Sequence, residues 1–183
     1  MKRVLGILLI SVFIFSAGVQ AFPTADIRPG YSSLLYSVQV GERDGGISLN
    51  ALRLGFDFGL THTVGMEAVL CYTGSGRDNL TDLGVKFRLS ERGPTEFAAK
   101  MGFHGTPVEN WIFTLGFRMD HELTSFFRLH AGGSISFVEE FDWGYFIGAD
   151  YSLSPSISLQ GGVNRNIRQG GLGDFMFGLR TSL

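Results

Sequence analysis

Apolar and polar residues alternate along most of this chain, most cleanly between Ala51 and Thr73. From Leu52 to Leu60 every second residue is large and apolar: Leu52, Leu54, Phe56, Phe58 and Leu60, with Arg53, Gly55, Asp57 and Gly59 between them. Thr61-His62-Thr63 interrupts. The alternation then resumes as Val64, Met66, Ala68, Leu70 and Tyr72 against Gly65, Glu67, Val69 and Cys71. Successive side chains of a strand point to opposite faces, so this pattern predicts a β-hairpin with one apolar face.

The same pattern recurs. Before the hairpin, Ser33–Val40 places Leu34, Tyr36, Val38 and Val40 on one face, and the hairpin's first strand is expected to begin near Ile47 in a shifted register. Gly41 to Gly46 carries turn chemistry. After the hairpin, Thr81–Leu89 sets Leu83, Val85, Phe87 and Leu89 against Asp82, Gly84, Lys86 and Arg88. Glu96–His104 sets Phe97, Ala99, Met101 and Phe103 against Ala98, Lys100, Gly102 and His104. A run from Trp111 to Met119 opposes Thr114, Gly116 and Arg118, and one from Phe127 to Phe137 opposes Arg128, His130 and Gly132. Trp143–Leu153 has Asp150 on its polar side, and Ile157–Val163 has Gln160. Phe175–Leu183 has Arg180. The count is ten strands, with eight as the alternative. Breaks are expected at Thr61–Thr63, Ser90–Thr95, Asp120–Glu122 and Ser154–Ser156, interleaved with Gly/Asp/Arg-rich loops, and Phe22–Gly30 reads as a lead-in arm because Pro23 and Pro29 bar a regular strand.

The ten apolar faces hold no charged residue. Arg or Lys near the midplane of a lipid-facing strand costs roughly 2–4 kcal/mol, so this is the surface a bilayer demands. The polar faces carry Arg53, Asp57, Glu67, Asp82, Lys86, Arg88, Lys100, Arg118, Arg128, Asp150 and Arg180. These are the candidate lumen-lining residues of an all-β, transmembrane, up-and-down antiparallel β-barrel. Seven are basic and four acidic, so they suit either a narrow pore with slight anion preference or a salt-bridged plug. Aromatic residues gather at both ends of the strands, as membrane interfaces require.

Composition narrows the classes. Charged residues are 17% of the chain, and Gly (26) and Phe (17) are abundant, which fits membrane β-proteins better than soluble enzymes. A net charge of −2 gives no reason to expect nucleic acid. One cysteine, Cys71, excludes an internal disulfide. Met1-Lys2-Arg3, the apolar stretch to Ala17 and the small residues Val19 and Ala21 form a signal-peptide pattern. Residues 1–21 are therefore expected to be cleaved, leaving 22–183 as one barrel domain. A soluble, lipocalin-like barrel binding an apolar ligand is the rival, but its outer surface would be glycine-rich and thinly charged.

With these residues in view, the chain resembles small bacterial outer-membrane β-barrel proteins. The signal segment, the ten alternating segments and the ending Phe175-x-Phe177-x-Leu179-x-Thr181-x-Leu183 carry the likeness. That ending is similar to the insertion signal of such proteins, with Leu183 where a terminal Phe is usual and a polar Thr181. The resemblance implies the outer-membrane bilayer and, during biogenesis, the barrel-insertion machinery as partners. No catalytic, cofactor or metal site is expected. His104 and Asp44, Asp78, Glu139, Glu140 and Asp142 lie towards loops too short for a protease site. His104 and His130 read as satisfied lumen residues, and His62 and His121 as solvated turn residues.

Overall fold

The computed structural model describes residues 24–25, 27–43, 46–73, 80–105, 111–137, 141–166 and 174–183. It contains ten strands: β1 (Ser32–Arg43), β2 (Gly46–Gly59), β3 (Val64–Thr73), β4 (Leu80–Arg92), β5 (Thr95–Gly105), β6 (Ile112–Thr124), β7 (Phe127–Phe137), β8 (Phe141–Ser154), β9 (Ile157–Asn166) and β10 (Asp174–Ser182). Each pairs antiparallel with its neighbour in sequence, and β1 pairs with β10. The sheet therefore closes as an up-and-down barrel without a free edge. Strands of this length, tilted about 40°, rise roughly 23–35 Å, enough for the apolar band of an outer-membrane barrel.

The distribution of side chains is inverted relative to a water-soluble domain. Leu52, Leu54, Phe56, Met66, Leu70, Leu83, Met101, Leu115, Ile147, Leu159 and Phe177 are all exposed on the outside. Among the described residues, fourteen polar or charged side chains are buried, against nine apolar ones. Water would penalise both halves of this arrangement. Lipid outside with ion pairs inside satisfies both. Tyr72, Phe103, Trp111, Trp143 and Phe175 stand exposed at one rim. Towards the other rim are Tyr151 and Phe126.

Several boundaries differ from the pattern. Asp120-His121-Glu122 is not a break: β6 runs through it and turns at Ser125-Phe126. The triplet has turn chemistry, but Asp120 keeps the inward parity of Arg118 and has a partner there. His121 is accordingly not a solvated turn residue; it is half-buried, with Nδ1 2.7 Å from Thr95 Oγ1. The expected Ser90–Thr95 break shrinks to Gly93-Pro94, with Gly93 at a φ of 58°. A register shift between Arg88 and Ser90 lets β4 continue past the predicted end. A second shift, at Gln39/Val40, pairs Val40 with Leu49, so Leu49 and Ile47 turn outward. Val38 has outward parity yet is 1% exposed, lying in register between the larger Leu52 and Phe177. Asp44, Asp78, Glu139, Glu140, Phe22 and Pro23 lie outside the described residues, as does the side chain of Asp142.

Between β2 and β3, Thr61 Oγ1 accepts hydrogen bonds from the amides of Thr63 and Val64. Thr124 Oγ1 does the same for Phe126 and Phe127. These side chains satisfy turn amides that have no ladder partner. All four such turns, and the start of β1 and end of β10, lie at one rim, called here the turn end.

Candidate functional site in the barrel lumen

Inward parity brings charges from non-adjacent strands into one low-dielectric space, where each must find a partner. Asp57 and Glu67 face each other across β2 and β3. Like charges at that spacing repel, and the strands beyond supply the counter-ions. Lys86 Nζ lies 2.6 Å from Asp57 Oδ1, with the two side chains 0% and 1% exposed. Lys100 Nζ lies 2.5 Å from Glu67 Oε1 and 3.0 Å from Asp82 Oδ1. Arg118 approaches Glu67 at 3.9 Å and lays its guanidinium over the Phe146 ring, 5.0 Å from the centroid. Phe146 packs with Met176, the apolar minority of the lumen. Gly84 is required here, because a Cβ on it would sit 2.5 Å from Lys100 Cε. The lysine stem passes over the place a side chain would take.

A second network crosses β6 to β10. His130 Nδ1 is 2.8 Å from Asp120 Oδ1, and its Nε2 is 2.8 Å from Asp150 Oδ2. Asp150 Oδ2 also accepts from Arg180 Nη1 at 3.0 Å. The imidazole is wholly buried between two carboxylates, so both of its nitrogens have acceptors.

The arm joins both networks. Thr24, Ala25 and Ile27 are 0% exposed. Lys86 Nζ donates to the Thr24 carbonyl at 3.0 Å, and the Ala25 amide donates to Asp120 Oδ2 at 3.1 Å. Ala25 and Ile27 pack on Ala98 of β5. The chain enters through the turn end by a reversal at Pro29-Gly30, where Gly30 has a φ of 72°. Tyr31 donates its amide to the Arg28 carbonyl, and Gly59 exchanges backbone hydrogen bonds with Gly30 and Tyr31. A Cβ on Gly59 would lie 1.9 Å from the Arg28 carbonyl oxygen, so the arm docks where β2 has no side chain.

The remaining candidates lie around these networks. Arg53 is half-buried and, with Asp57, Glu67 and Leu35, lines a small void of about 10 Å3. Arg88 pairs with Glu91 at 2.9 Å near the turn end, a contact open to solvent on the glutamate side. Arg128 lies 4.0 Å from Glu122. Towards the loop end, Gln39 Nε2 donates to Asp174 Oδ2. Cys71 is buried as a free thiol.

Pattern reading missed Asp120, which it placed in a turn, and it gave the arm no part in the lumen. The inward parity from Thr114 through Gly116 and Arg118 was the available signal for Asp120. For the arm the only hint was negative: two prolines excluded a strand without saying where the backbone would go.

No protein-family model matches the chain. No curated protein matches it either. Solved structures do. The chain is similar to the KdgM porin, with a TM-score of 0.52 at 9% identity, covering 84% of this chain and 99% of that one. It is also similar to the structure titled "KdgM porin in complex with disordered oligogalacturonate", with a TM-score of 0.55 at 11% identity, covering 82% and 99%. At such identities the likeness is one of fold: this chain is a closed, ten-stranded, antiparallel β-barrel of the architecture used by porins.

Proposed function

We propose that the chain is an integral outer-membrane barrel, turn end to the periplasm, whose lumen is held shut by its N-terminal arm. Small solutes would pass only when the arm leaves. The observation that carries this is the burial of Thr24, Ala25 and Ile27, tied at once to Lys86 and Asp120. Open water in the lumen would compete for those polar atoms. The apolar outer surface supports the membrane location, and the porin architecture supports transport over catalysis. His130 contacts carboxylates and Arg180 lies beyond them, an arrangement suited to holding charge rather than attacking a substrate.

Removal of residues 1–21 during export fits this reading, since Thr24 lies only three residues beyond that point and is already deep in the wall's ion pairs. With the arm gone, Lys86 and the Ala25-bonded Asp120 lose contacts, and the basic excess of the lining favours anions. Single-channel recording in planar bilayers tests the proposal. The chain from Phe22 onward should stay closed, and a version lacking residues 22–30 should conduct with modest anion preference. Equal, steady conductance from both would overturn it.

A further inference from the structure

A cavity of about 110 Å3 lies at the turn-end mouth, between the arm and the wall. Three guanidinium groups from separate elements line it: Arg28 of the arm, Arg128 of β7 and Arg180 of β10. Two carboxylates share it. Asp150 is already engaged with Arg180 and His130, and Glu122 is half exposed, 4.0 Å from Arg128. Three cations against two anions leave the lining with an excess of one positive charge. Hydroxyl groups, those of Ser158 and Ser182 among them, fill out the walls.

Guanidinium forks and hydroxyls make a surface rich in donors, suited to a ligand with several acceptor oxygens. Liquid water occupies roughly 30 Å3 per molecule, so the space equals three or four waters, enough for one tetrahedral oxyanion. Seating the arm also adds the charge of Arg28 to the side that holds Arg128 and Arg180. A bound anion turns that repulsion into attraction.

We propose that this mouth cavity is a binding site for a phosphate-type oxyanion, free or as the headgroup of a lipid, shared by the arm and the wall. Occupancy would favour the seated arm. The site rests on the arm position used by the closed-barrel reading, but it is tested by binding rather than by conductance.

The experiment is calorimetric titration of the folded chain from Phe22 onward, in detergent at constant ionic strength. The two probes are inorganic phosphate and a water-soluble short-chain phosphatidic acid. Saturable binding is expected, weakened at least tenfold by Arg128→Gln and kept within a few-fold by Arg128→Lys. Arg28→Gln, a change in an exposed side chain, gives a second test should Arg128→Gln fail to fold, and should also weaken binding. Tighter binding of the phosphatidic acid would assign the site to a headgroup, and equal or weaker binding to the free anion; both support the site. Absence of saturable binding by either probe would overturn it. So would unchanged affinity in a folded Arg128→Gln or Arg28→Gln barrel. Deleting residues 22–30 separates the two readings. Lost binding with unchanged conductance sinks closure and keeps the site; opened conductance without any phosphate binding by the full chain does the reverse.

Discussion

Replacing Lys86 by Met is the perturbation whose cost follows most directly from the lumen geometry. The Met side chain keeps most of the volume and removes the charge. Two contacts are lost: Asp57 at 2.6 Å and the Thr24 carbonyl at 3.0 Å. Asp57 is 1% exposed, and its Oδ2 has no hydrogen-bond partner to fall back on. Stranding one member of a buried ion pair costs about 3–5 kcal/mol. The unsatisfied Thr24 carbonyl adds about 1–3 kcal/mol. Lys86→Met should therefore lower stability by at least about 4 kcal/mol. Arg88→Met, which breaks a pair with an exposed partner, should cost no more than about 1 kcal/mol. In Asp57→Leu/Lys86→Met the stranded carboxylate is gone and only the carbonyl deficit remains, so most of the loss should return. Urea unfolding from phospholipid vesicles measures all three, using the fluorescence of Trp111 and Trp143, which stand on the outer rim. If Lys86→Met unfolds within 1 kcal/mol of wild type, like Arg88→Met, the buried-pair reasoning is wrong.

Other outcomes follow from the same geometry. Phe56→Arg puts a cation on an exposed outer position, at a cost of roughly 2–4 kcal/mol, and should prevent assembly into bilayers; normal heat-modifiable migration on gels would mean the faces are reversed. Gly59→Val should expel the arm, because its Cβ would meet the Arg28 carbonyl, and should open the barrel in planar bilayers without unfolding it. Gly132→Ala should cost about 1–3 kcal/mol in urea unfolding, since its Cβ would lie 2.4 Å from Phe146 Cε1 and 2.6 Å from the Phe117 carbonyl oxygen. In a barrel lacking residues 22–30, Arg53→Ala should reduce anion preference, read as a shifted reversal potential under a salt gradient.

The wall was legible in the sequence and the plug was not, for a physical reason. A strand's side chains alternate whatever surrounds it, so Leu54 and Phe56 announce one face and Asp57 and Arg53 the other, and ten such segments imply closure. Turn chemistry is weaker information. Asp120-His121-Glu122 has the residues of a turn, yet Asp120 is held in β6 by His130 and by the Ala25 amide, partners 10 and 95 residues away. Bulges at Arg88/Ser90 and Gln39/Val40 shift the parity locally, and only pairing with the next strand reveals them. Which cation answers Asp57 or Glu67 depends on the stagger of β4 to β6, so the pairs with Lys86, Lys100 and Arg118 could not be read from alternation. The arm has no period at all. Its place is set by Gly59 and Gly65, whose missing side chains leave room for Arg28 and Ile27.

The central claim is that the arm sits inside the barrel. Thr24→Cys in a Cys71→Ser background tests it, with a membrane-impermeant thiol reagent added to protein in vesicles. Thr61→Cys, on an exposed turn, serves as the reactive reference. The seated arm predicts labelling of Thr24→Cys at least a hundredfold slower than Thr61→Cys, from either side of the membrane. Labelling at the reference rate would place the arm in water and contradict the plugged barrel.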